Sequence, residues 1–152
     1  MSLFNILREL GSGVGISLLI FIVTLIVSLP LGLIVVALRT GKNPILSGII
    51  KIYISIMRGT PLMLQLMVIY FGPYYIFGLK ISNSYRLWAA LIGFSINYAA
   101  YFAEIYRSGI QSMPKGQYEA AKLLGYSKSQ TFFIIILPQV IKKILPSITN
   151  EV

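Results

Sequence analysis

From Val14 to Leu38 the chain runs for 25 residues without a charge. At 1.5 Å per helical residue, that length crosses about 30 Å of hydrocarbon with some tilt. The rest of the composition agrees: 57% of residues are hydrophobic, 11% are charged and the mean hydropathy is +0.82. Soluble domains are less apolar and more charged. The run is too long for a signal-peptide core and lacks a small-residue cleavage site, so it reads as a retained span. At about 20 residues per span, 152 residues hold one domain of roughly four membrane helices.

Cysteine and histidine are both absent. Disulfides, thiol chemistry, zinc sites built on either residue and histidine-based catalysis go with them. The four acids, Glu9, Glu104, Glu119 and Glu151, form no recognisable catalytic pair, and no metal site is expected. A net charge of +9 could point to nucleic acid, but the basic residues stand at the ends of apolar runs rather than along one polar face.

After the basic turn Arg39–Pro44, polar residues at Ser47, Lys51, Ser55 and Arg58 share one helical face, as in a helix lying at the membrane surface or entering obliquely. In Arg58-Gly59-Thr60-Pro61, Thr60 can cap a helix and Pro61 can take its first position, which starts a second span to about Phe71, continuing toward Phe77 if bent at Gly72-Pro73. Leu87–Tyr106 reads as the third span. Its stripe of Gly93, Asn97, Tyr101 and Glu104, extended to Ser108, must meet protein or water rather than lipid. Thr131–Leu137 opens a fourth span that is broken up by Pro138, Lys142, Lys143 and Pro146 and is still incomplete at Val152.

The connections 39–58 and 107–130 carry four basic residues each, against two, Lys80 and Arg86, in the loop between. The positive-inside bias places the first two in the cytoplasm and the N-terminus outside. The 107–130 connection has internal order. Gln117–Leu124 is built of helix formers with Ala120, Ala121, Leu123 and Leu124 on one side, and Gly125 is placed to end it in the left-handed conformation. Ser127 and Gln130 have capping-box spacing for a following helix. A short amphipathic helix between two sharp turns suits insertion into a partner's groove. From the pattern alone, a helix that only binds lipid fits equally well.

Glu119-Ala120-Ala121-Lys122-Leu123-Leu124-Gly125, followed by Phe132-Phe133 and Ile136-Leu137-Pro138-Gln139, resembles the Glu-Ala-Ala coupling loop of bacterial ABC importer permeases. The stretch Glu104–Gln117 is similar to what precedes that loop in permeases for polar amino acids, and Arg58-Gly59-Thr60-Pro61-Leu62 with Gln65 to their second-span entry. The resemblance runs from Gly13 onward. It implies an all-α, polytopic helical bundle of the type 1 importer (MetI-like) kind, here with three complete spans and a partial fourth in one permease domain over 1–152, C-terminally incomplete because such permeases have about five spans.

The implied function is that of a multi-pass, plasma-membrane transport subunit rather than an enzyme. It would work with an identical or paralogous second permease, a cytoplasmic ABC ATPase dimer and an extracellular amino-acid-binding protein, to carry a polar amino acid through lipid. No cofactor and no nucleic acid are implied, and with no phosphate-loop motif in the chain ATP hydrolysis falls to the partner. The coupling residues are Glu119, Ala120, Ala121, Leu124 and Gly125. Asn97, Tyr101, Gln65 and Glu151 are candidates for the substrate path, and Arg58, Gly59, Thr60 and Pro61 form the span-entry motif.

Several of these have second readings. Asn97 fits a helix-to-helix hydrogen bond as well as a substrate contact, Glu104 an interfacial pair with Arg107, and Arg58 a lipid headgroup contact. Glu151, about 12 Å beyond Lys143 along a helix, would face a cavity and meet a substrate ammonium, or lie at a frayed end. Two rival functions are an ion-coupled secondary transporter or channel, for which repeated span sets and buried charge relays are missing, and a non-transporting membrane scaffold.

Overall fold

The computed structural model describes residues 3–82 and 84–152. The apolar run becomes part of α1, Leu3–Thr40, whose stretch Leu7–Thr40 is long and apolar enough to cross a membrane. Asn43 then caps α2, Pro44–Gly59, by accepting hydrogen bonds from the amides of Ile45 and Leu46, with Pro44 at the position where no amide is needed. α3 is Leu62–Phe77, with Pro73 inside it and Gly78 closing it at φ 66°. α4 is Tyr85–Gln111 and α5 Lys115–Leu123. A single turn, α6 at Lys128–Gln130, runs into a π turn at Thr131–Ile136 and then into α7 at Leu137–Glu151.

α2 and α3 meet at 110°, the geometry of a broken span or a re-entrant pair. The expected roles of Thr60 and Pro61 need correcting. Thr60 is extended, as a residue before proline prefers, and its hydroxyl donates back to the Ile56 carbonyl at 2.8 Å, closing α2. Pro61 is the residue before the first turn of α3 and offers no side-chain cap.

α4 is the centre of the bundle, contacting α1, α2, α3 and α7. With 27 residues it is about 40 Å long, enough to cross, but it is not among the helices apolar enough to cross on composition alone. On length and composition, α1 and the rod 128–151 qualify, the α2–α3 pair makes a third if taken as one, and α4 does not. The reason is burial, since α4 hides Ser95 and Asn97 among other helices and can carry polar groups that a lipid-facing helix cannot.

Small residues set the spacing. At Gly32 a Cβ would lie 2.9 Å from Phe102 Cβ, so α1 and α4 touch there, and Tyr106 adds a hydrogen bond from its hydroxyl to the Leu29 carbonyl at 3.2 Å. At Gly109 a Cβ would lie 2.2 Å from Ile144 Cγ2, which seats α7 on α4. Val35, Val36, Ile54, Phe102, Ile136 and Val140 fill the space between.

Candidate functional site

Two features stand out on this bundle: an exposed short helix and a charged cleft. α5 ends as expected. Gly125 takes φ 81°, its amide reaches the Lys122 carbonyl and the Tyr126 amide the Ala121 carbonyl, which is the Schellman pattern that a glycine permits. Ser127 and Gln130 complete a reciprocal capping box, at 2.9 and 3.3 Å, and start the next helix. The two faces of α5 part company. Ala121 is buried, and α5 packs on the π turn. Glu119 and Ala120 are exposed, and Leu123 and Leu124 keep 89% and 75% of their surface open. Two neighbouring leucines in solvent are an unsatisfied apolar patch.

The cleft, of about 440 Å³, lies where the end of α2, α4 and α7 meet. Arg58, Tyr101, Glu104, Arg107, Ser108, Lys143, Ser147 and Glu151 contribute to its wall. The Arg58 guanidinium sits 5.3 Å over the Tyr101 ring, a cation–π contact. Glu104 pairs with both Arg39 and Arg107, so its charge is matched inside the protein. The Arg107 half was readable from its three-residue spacing. Arg39 stands 65 positions away, and nothing in local spacing announces it. Lys143 donates to the Ser112 carbonyl at 3.3 Å, helping to close α4. Glu104 offsets only one of its two arginines, so the cleft keeps a positive excess, with Arg58 and Lys143 on one hand and Glu151 on the other.

Asn97 and Gln65 lie together, one turn deeper. The Asn97 amide nitrogen donates to Gln65 Oε1 at 2.9 Å and to the Met57 carbonyl at 3.0 Å. Gln65 in turn donates to the Met57 carbonyl and to the carbonyl and hydroxyl of Thr60. This network holds the α2–α3 corner, and with it Arg58, against α4. Gly59 and Pro61 contribute only backbone, and the sequence candidates thus separate into a cleft set (Arg58, Tyr101, Glu151) and a corner set (Asn97, Gln65, Thr60).

Residues 28–152 match the family described as the binding-protein-dependent transport system inner membrane component. The chain belongs to that family. It is thus an integral membrane protein of a transport-component family. Relatives of this chain include the Bacillus subtilis (strain 168) protein named "Probable amino-acid ABC transporter permease protein YckA", 47% identical over 91% of this chain and 59% of the relative. The arginine transport system permease protein ArtQ of the same organism is 40% identical over 91% and 62%. The chain thus spans about three-fifths of the curated relatives it matches. A crystal structure of "an amino acid ABC transporter with histidines" superposes with a TM-score of 0.84 at 32% identity, covering 99% of this chain and 70% of the other. The family and that fold agree with an all-helical, MetI-like permease architecture.

Proposed function

We propose that this inner membrane component is the membrane-spanning subunit of an ATP-driven importer of polar amino acids. α5 receives the stroke of a cytoplasmic ABC ATPase dimer, and the cleft forms part of the substrate path. The observation that carries this reading is the position of α5: exposed Leu123 and Leu124 stand on a helix between two sharp turns, and those turns join it to α4 and α7, which wall the cleft. Displacing α5 displaces both walls. Leu123 and Leu124 enter the ATPase groove with Glu119 and Ala120 beside them, while Ala121 and Gly125 hold α5 to its own protein. The relatives' names support amino acids as cargo.

Within the cleft, Arg58 and Lys143 favour the carboxylate of an amino acid and Glu151 its ammonium, next to the Tyr101 ring. Asn97 and Gln65 keep that wall in place. A second permease copy or paralogue closes the other side, and an extracellular binding protein delivers substrate. The N-terminus is outside and α5 is cytoplasmic, on the basic-residue asymmetry.

Two variants test the parts separately. Leu123→Asp with Leu124→Asp alters only exposed side chains, so the chain keeps its thermal stability while co-purification with the ATPase is lost. Glu151→Gln leaves assembly intact and impairs uptake of zwitterionic or cationic substrates. ATPase binding that survives the first change removes α5 from the interface; unchanged uptake kinetics remove Glu151 from the path.

A further inference from the structure

Thr131 and Ile136 are both buried, 6% and 0% exposed, and they are five residues apart. Beyond Ile136 the buried face continues at four-residue steps through Val140 and Ile144 to half-buried Ile148. In a π-helix the residue five on lies one turn along, whereas in an α-helix it is three or four on. An unbroken α-helix anchored at Thr131 would therefore present Ile135, Gln139, Lys143 and Ser147 to α4. Lys143 would then fall where Ile144 meets Gly109, a site too close for even an added Cβ. The π turn acts as a one-residue insertion that reconciles two buried faces.

The same turn is a weak place in the rod. The Leu137 amide reaches the Phe132 carbonyl in a π-type bond, and the next residue is Pro138, which has no amide to give. Sharp helix bends collect at such turns. α5 packs directly on it, and Gln139 just beyond donates to Gln117 of α5 at 3.4 Å. We propose that the π turn at 131–136 is the joint at which α5 swings relative to α7, so that the stroke bends this turn without rotating the face of α7 off Gly109. This rests on the importer reading for its purpose, but its mechanics belong to the chain itself.

Deleting Ile134, a 60% exposed residue of the turn, shortens the five-residue step to four and makes the rod regular while keeping both buried faces. Deleting Ile141 instead moves Ile144 off Gly109. The chain has no cysteine, so spin labels at Lys122→Cys and Leu145→Cys in lipid nanodiscs report the α5–α7 distance distribution without any ATPase. The expected result is that the Ile134 deletion resists trypsin like the parent and loses the broad part of the distribution, whereas the Ile141 deletion loses trypsin resistance. An unchanged distribution after deleting Ile134, or loss of trypsin resistance equal to that of the Ile141 deletion, would overturn the joint. Neither result depends on ATPase docking, which the Leu123 and Leu124 variants decide independently.

Discussion

At the scale of single residues, the two glycines most instructive to compare are Gly109 and Gly48. Both are helical, yet a Cβ at Gly109 meets Ile144 at 2.2 Å, and one at Gly48 meets nothing within 4 Å. Gly109→Leu should therefore destabilise the chain by about 1–3 kcal/mol through overpacking. Gly48→Ala should stabilise it by roughly 0.5–1 kcal/mol through helix propensity alone. Unfolding in mixed micelles, followed by circular dichroism, reads both. No change at Gly109 would mean that α4 and α7 do not pack as described, and a loss at Gly48 would mean that this face of α2 is not open. Their sequence neighbourhoods, Leu46-Ser47-Gly48 and Arg107-Ser108-Gly109, give no hint of the difference, because the deciding atom lies 35 positions downstream of Gly109.

Elements divide by how local their causes are. The end of α5 and the start of α6 were legible because Gly125 supplies a left-handed φ and the Ser127/Gln130 pair supplies reciprocal acceptors within three residues. Gly125→Val should cost about 1–2 kcal/mol for that backbone conformation. Hydrogen exchange at the Gly125–Tyr126 amides, which bond to the Lys122 and Ala121 carbonyls, should accelerate in the variant while α4 amides stay protected. Equal acceleration in α4 would mean the cap supports the whole bundle. The α2–α3 corner was harder to read. Thr60 looked like a starting cap, but α3 begins one residue later, with Pro61 at the cap position, and the Thr60 hydroxyl turned to the carbonyl behind rather than the amides ahead.

For the whole molecule, the arrangement makes a topological prediction. Single cysteines replacing Lys42 and Lys122 should react with a membrane-impermeant maleimide only from the cytoplasmic side, and one replacing Lys80 only from outside, in a background that contributes no thiol. Labelling of Lys42→Cys and Lys122→Cys from opposite sides would invert the proposed path of α4. The same scale explains why α4 escapes a composition test for spans. Its polar stripe is covered by α1, α2, α3 and α7, and Glu104 is held by arginines from two helices.

The sequence alone determined that the chain is a helical membrane protein, that a short capped helix interrupts it between spans, and that its motifs resemble those of importer permeases. Each of these depends on hydropathy over a window or on residues within a few positions, which local physics settles. The tertiary structure alone decided that Asn97 and Gln65 bond to each other, that Arg39 completes the pair at Glu104, and that Ala121 faces inward while Leu123 and Leu124 do not. It also decided that the helix after Gln130 must take a π turn. Those outcomes depend on where separate helices cross, and a buried face acquires its register only from the surface it is buried against.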